Sequence, residues 1–315
     1  MKKILIFSFF LDFITNGIIA NCWIAIFSRE GFSLSEAAVA CGFMCLSTAF
    51  FELPTGYLAD RFLGRKGSVL VGMLLIGVGM LVLGLSDRFL VSALAMVVTG
   101  LGTTFISGAK QAWLRNVVAD RYPNRLKKFF FDIDIGGRIA TILGIWASAY
   151  LIEHQTPSAP WLMGALACGF CLICAFLIPK GSSDQDNKNA AILIETAGIG
   201  KYLGRPILLF VLMSTAFLGI EDAIRGIIFQ PVVLKLGSDN AMVLAYQATI
   251  TLGPRLFGAF SYRNFFSKYP RPFQILTGSI IGIATLEIGI SQVNSYLVFA
   301  VMWSVVVFLL ASSYP

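Results

Sequence analysis

The chain of 315 residues is 57% apolar and only 13% charged, about half the charged share that holds a soluble domain's surface in water. That balance excludes an ordinary water-soluble globule. Apolar runs that repeatedly reach the roughly 20 residues needed to cross about 30 Å of hydrocarbon exclude one large soluble core as well.

Ten such runs follow one another along the chain, at 4–28, 35–59, 68–86, 89–118, 129–152, 160–179, 206–230, 240–262, 273–290 and 293–312. Alternation of apolar and polar positions is absent from them, so strands are not expected. A helix satisfies its own backbone hydrogen bonds, and hydrocarbon offers no other partner. The expected fold class is therefore an all-α polytopic membrane protein of about ten spans. The first run follows Met1-Lys2-Lys3 and is too long for a cleavable apolar region; it lacks an Ala-x-Ala site, and Asn21 precedes Cys22 where lipoprotein processing needs a small residue. It is read as a retained helix.

Lys and Arg fix the expected orientation. With a cytoplasmic N-terminus and alternating sides, sixteen of the 24 basic residues fall in inner segments, among them Lys2, Lys3, Arg61, Arg65 and Lys66. Arg29, Arg88 and Lys235 are the three on the outer side. The formal charge of +7 thus reads as topology charge at a plasma membrane, bacterial inner membrane by this pattern. The basic clusters lack the interleaved aromatics of a nucleic-acid platform.

The polar gap 180–205 divides six runs from four. It predicts a six-helix bundle over 1–179, a cytoplasmic linker over 180–205, with a short surface helix at 190–203, and a second bundle over 206–315. An offset of about 202 residues relates the halves: it maps the start at Ile4 onto Pro206 and Phe89 onto the run beginning at Val293. It also sets Gly56-Tyr-Leu-Ala-Asp60-Arg61 against Gly258-Ala-Phe-Ser-Tyr262-Arg263. By this offset Pro315 stands opposite Trp113, and the second half is expected to hold four helices rather than six.

The loop after the second run reads Glu52-Leu-Pro54-Thr-Gly56-Tyr-Leu-Ala-Asp60-Arg61-Phe62-Leu63-Gly64-Arg65-Lys66. It resembles the signature between helices 2 and 3 of major facilitator transporters: Gly, three residues, Asp-Arg, one residue, Gly-Arg and a further base. Here Phe62 and Leu63 stand where the family has one residue. The resemblance implies two pseudo-symmetric six-helix halves and transport by alternating access. It implies a conformational role for Gly56, Asp60, Arg61, Gly64, Arg65 and Lys66, with Gly56 allowing close helix approach and Asp60 forming a charge network with Arg61 and Arg65. Against the family pattern the second half is expected to lack helices 11 and 12. Two marks of proton-driven drug antiporters are also missing, since Met96 rather than Arg precedes Gly100 and Gly136-Gly137-Arg138 contains no Pro.

Ionisable residues inside a bilayer are expensive and default to function. In the first half they fall on the first, second, fourth and fifth helices, which in the family approach the cavity, and not on the third and sixth. Asp12, Glu52, Lys110 and Arg138 all lie roughly 12 to 13 Å from the inner membrane edge at about 1.5 Å per residue. Two acids and two bases at one level leave two readings open, a structural ion-pair cluster or a substrate or proton site. Direct or relayed coupling between Asp12 and Arg138 is expected from the shared depth.

Asp222, Arg255 and Gln247 are candidate cavity residues of the second half, with Asn16 and Asn21 secondary candidates on the first helix. Glu221 and Arg225 are spaced as a local i,i+4 pair. The six cysteines, Cys22, Cys41, Cys45, Cys168, Cys171 and Cys174, sit in apolar runs, and the one histidine, His154, sits in a loop. No metal spacing, phosphate loop or nucleophile elbow occurs, so no catalytic residue, metal or cofactor is expected. The expected partners are the lipid bilayer and an unidentified small solute, with or without a coupling ion. Two other classes stay open, a transport-inactive relative of such transporters and an intramembrane lipid-processing enzyme.

Overall fold

The computed structural model describes residues 2–122, 124, 126–181, 233, 235, 240–250, 252, 298, 301–302 and 305. The gap beginning at 182, and most of the last four apolar runs, lie outside the described residues. Described helices are α1 (Lys2–Asp12), α2 (Ala20–Arg29), α3 (Leu34–Leu58), α4 (Gly64–Leu85), α5 (Phe89–Arg121), α6 (Leu126–His154) and α7 (Ala159–Leu177). Two π-helical turns interrupt the α geometry, Phe13–Ile19 between α1 and α2 and Ala59–Leu63 after α3.

The first apolar run is therefore not one straight helix. Its two parts, Lys2–Ile19 and Cys22–Arg29, are inclined at 52°. A π-helical turn holds more residues per turn than an α-helix and is a recognised cause of such bends. At the far end of the run, Gly31 takes φ 92, and Ser33 starts α3 with a reciprocal cap. The Ser33 hydroxyl accepts from Glu36 N at 3.2 Å, and the Glu36 carboxylate accepts from Ser33 N at 2.8 Å.

The contacts give each helix its direction. Along α5, Val97 O accepts from Ser47 and Ser107 reaches Glu52, so α3 and α5 run parallel. Phe105 O accepts from Ser68, and Gly102 O lies beside Gly72, so α4 runs antiparallel to α5. Since α3 and α4 run oppositely, the continuous helical stretch Leu34–Leu85 is two crossings. Gly64, at φ 68 and ψ 161, is where the chain leaves helical geometry between them. In the same way α6 runs parallel to α1–α2, through Gly17–Gly144 and Arg29–Glu153. Helix α7 runs antiparallel to α1–α2, through Phe10–Phe170 and Phe27–Trp161. Residues 2–177 thus cross back and forth six times, counting α1–α2 as one crossing.

Helices in lipid gain little from hydrophobic association, so close packing and small residues must hold them. A Cβ on Gly72 would fall 2.6 Å from Gly102 O, and one on Gly102 would fall 2.7 Å from Gly72 O. At that crossing only glycine lets the backbones meet. Aromatic packing fills the centre: Phe7 meets Trp113 edge-on at 5.6 Å between ring centroids, and Phe27 lies against Trp161 at 5.8 Å. Outward positions such as Leu53, Leu90, Leu166 and Ile173 are apolar and exposed. In water they would form an adhesive patch; in a bilayer they are the lipid-facing surface.

Candidate functional site

Asp12 is the last residue of α1, where the helix widens into the π-helical turn. Its Oδ1 lies 3.0 Å from Lys110 Nζ on α5, and both side chains are only 16% exposed. Asn16 Nδ2 donates to the same oxygen at 3.5 Å. Helix α6 comes up against the other oxygen, where a Cβ on Gly137 would stand 2.5 Å from Asp12 Oδ2. The carboxylate is thus held by one cation and one amide, with Gly137 leaving room for it against α6.

One turn of α5 serves two neighbours. Lys110 reaches α1, while Ser107, three residues earlier, donates to Glu52 Oε1 of α3 at 3.3 Å. Arg138 is engaged differently from the sequence expectation. Its Nε and Nη2 form a forked pair with the two carboxylate oxygens of Asp134, at 3.0 and 3.1 Å, one helical turn back on α6. Among the described residues Asp12 and Arg138 form no ion pair with each other, since each has another partner. Asp134 was missed by the sequence reading, and the i,i+4 spacing to Arg138 was its available signal.

Gln247 is buried, on the helical stretch 242–250. Asp222 and Arg255 lie outside the described residues, as do Glu221 and Arg225. Asn21 is placed within α2, but its side chain lies outside the described residues.

The Gly56–Lys66 segment also differs in detail from expectation. The extra residue at Phe62–Leu63 coincides with the π-helical turn Ala59–Leu63, which accommodates one more residue than an α turn. Asp60 is exposed, and among the described residues it enters no ion pair. Its expected partners are committed elsewhere. Arg61 lies over the Tyr57 ring at 5.5 Å and donates to the Tyr57 hydroxyl. With the Asn116 amide turned so that its oxygen faces the guanidinium, Arg65 Nη1 donates to that oxygen at 3.0 Å. Gly56 is not at a close helix contact among the described residues, since a Cβ there meets nothing within 4 Å. Lys66 makes the firmest link: its ammonium donates to Phe176 O at 3.1 Å and to Ile178 O. A cation there supplies donors to carbonyls at the C-terminal end of α7, which have no partner within the helix.

At the opposite end, Glu30 follows α2. Both of its carboxylate oxygens are buried without a hydrogen bond of regular geometry. Burial pushes this carboxyl up to about 7 from its ordinary 4.5, and the Trp161 indole N–H beside it offsets only part of the rise. Between those two pH values the folded protein keeps a proton that the unfolded chain has released. Stability therefore falls as pH rises through that window, and the penalty is complete above pH 7. Glu30→Gln is expected to flatten this slope and to melt higher than the unaltered protein at pH 8 but not at pH 4.5. Thermal melting in detergent across that range checks it; an unchanged slope would count against the burial of Glu30.

The arrangement has counterparts among known proteins. The inner membrane transport protein YajR of Escherichia coli (strain K12) is 27% identical over 183 residues, 57% of this chain and 38% of that protein. The chain therefore aligns with well under half of that relative's length. Among solved structures, the nucleoside transporter NupG superposes with a TM-score of 0.77 at 13% identity, over 99% of this chain and 79% of that one. A D-xylose-proton symporter gives 0.69 at 13% identity over 98% and 79%. At such identities these two show a shared fold. The model of the Major Facilitator Superfamily matches residues 5–315, nearly the whole sequence, and the chain belongs to that superfamily.

Proposed function

We propose that the protein carries a small polar solute across the membrane by alternating access, its two bundles rocking about a central cavity. The observation that supports this most directly is the polar belt within the first bundle. Asp12 with Lys110 and Asn16, Glu52 with Ser107, and Arg138 with Asp134, expected at one level, lie on helices that are mostly apolar. Charges at that depth cost free energy unless they are paired or meet water and ligand, and both the belt and the family favour a solute path. Family and fold point to a transporter rather than an enzyme. The solved neighbours are named for nucleosides, D-xylose and peptides, so polar solutes are the class to test first. The basic residues at the N-terminus and in the Gly64–Lys66 turn support a cytoplasmic position for both.

The test is uptake into liposomes reconstituted with purified protein, using labelled nucleosides, pentoses and dipeptides. Protein-dependent uptake of at least one class, tenfold or more above empty liposomes and abolished by Lys110→Ala, is expected. Folded protein that moves none of them would remove the reading's support. For orientation, cysteine at position 154 is expected to react with an impermeant reagent on intact cells and cysteine at position 183 is not. The reverse pattern would invert the topology.

A further inference from the structure

The end of the bundle opposite the Gly64–Lys66 turn carries a contact that the superfamily signature does not involve. Helices α2 and α6 run parallel and reach this end together. There Glu153 Oε1, near the end of α6, lies 2.9 Å from Arg29 Nη2 at the end of α2. The same oxygen accepts from Ala241 N at 2.7 Å. Ala241 opens the helical stretch 242–250, in the part of the chain beyond the 180–205 gap. Its N–H is one of the groups at a helix start that have no partner within the helix. Asn240 caps the next N–H, its Oδ1 accepting from Met242 N at 2.8 Å. Glu153 thus sets a negative charge where a helix N-terminus favours one, and Arg29 holds that charge in place.

A second tie lies deeper between the same two helices. Trp146, two turns before Glu153, donates through Nε1 to Thr249 Oγ1 at 2.9 Å. It also meets the Tyr246 ring edge-on at 5.2 Å. Between the ties, Leu244 and Ala245 are buried. The pairs 153 with 241 and 146 with 249 make the two helices antiparallel, and they seal a seam. The two ties differ in kind. Trp146 contributes neutral, shape-dependent contact; the seam's rim is charged and partly wet, with the Arg29 side chain 43% exposed. A wet charged contact can break without leaving a charge stranded in hydrocarbon.

We propose that Glu153 is an electrostatic latch that closes this end of the solute path. It joins α2 and α6 to the first turn of the 242–250 helix, and the structure described here is the state shut at this end. The proposal rests on the alternating-access reading for its purpose, but its geometry can be tested without any solute. Glu153 acts as a positioning residue, since its role is to hold two helices together.

The experiment places a cysteine at Ala245, inside the seam, in a protein freed of its native cysteines. The rate of labelling by a maleimide in detergent is then followed. Slow labelling is expected with Glu153 present, and Glu153→Ala should raise the rate tenfold or more. Glu153→Gln retains an acceptor for Ala241 N but loses the charge, so it should give an intermediate rate; it also serves as the folded reference if the alanine variant does not purify. The exchanged pair Arg29→Glu with Glu153→Arg is the decisive arm. It restores an ion pair but leaves an arginine, which cannot accept from Ala241 N, at a helix N-terminus. In this arm labelling is expected to stay fast. A rate within twofold of the parent in Glu153→Ala, or full recovery in the exchanged pair, would overturn the latch and leave an ordinary surface ion pair. Neither outcome bears on uptake, which is measured separately, so a failed latch and a failed transport reading are distinguishable.

Discussion

Removing Lys110 alone is expected to damage the protein more than removing Lys110 and Asp12 together. The two side chains face each other at 3.0 Å and are only 16% exposed, so either variant alone leaves a charge in a low-dielectric site. Breaking such a pair costs about 3 to 5 kcal/mol, whereas replacing both members by neutral groups is often close to neutral. Lys110→Met and Asp12→Asn should each lower the melting temperature in detergent sharply, and the double variant should recover much of the loss. The coupling from the cycle, the two single losses less that of the double variant, should reach or exceed the upper end of the roughly 0.5 to 3 kcal/mol found for residues in direct contact. The same cycle between Asp12 and Arg138 should be additive within about 0.5 kcal/mol, because Arg138 is held by Asp134. Strong coupling in that second cycle would restore the simpler arrangement that depth alone suggested.

The second large effect is expected where α6 crosses the widened turn of the first helix. A Cβ on Gly144 would stand 2.6 Å from Phe13 O and 2.8 Å from Gly17 Cα. Both are backbone atoms, and they cannot step aside as a side-chain tip can. Overfilling a packed site costs about 1 to 3 kcal/mol, and a backbone-against-backbone crossing belongs at the upper end. Gly144→Leu should therefore melt far below the parent or fail to accumulate. Gly169→Leu is the control, since nothing lies within 4 Å of a Cβ there, and it should melt within a few degrees of the parent. Equal melting of the two variants would show that the Phe13–Ile19 turn and α6 do not approach as described.

The spans were the legible part of this fold, for a physical reason. Hydrocarbon sets a minimum length and penalises interruption, so runs such as 35–59 and 89–118 announce the helices Leu34–Leu58 and Phe89–Arg121 with little ambiguity. Which face of each helix meets which neighbour was not legible. In a soluble helix the polar stripe marks the outside, whereas here Leu53 facing lipid and Phe7 facing the core are equally apolar. A count of residues gives an expected depth for Asp12, Glu52, Lys110 and Arg138 but says nothing of their neighbours. Bonding depends on azimuth, and that is set by close crossings such as Gly17 on Gly144. Lys110 found Asp12, but Arg138 turned to Asp134, the acid one turn away on its own helix. The bend in the first run was hidden too, because nothing in Phe-Ile-Thr-Asn-Gly-Ile-Ile distinguishes a π-helical turn from an α-helical one.

The wide turn at Ala59–Leu63 has a consequence for how such sequences are compared. One residue added to an α-helix rotates everything beyond it by about 100°, which would swing a charged cluster from one neighbour to another. Here the added residue is absorbed within a single loosened turn, and Lys66 still reaches the end of α7. A search that demands fixed spacing through this segment would pass over relatives that differ only in such a turn, whereas one that anchors on Gly56 and Lys66 and lets the interval vary would recover them.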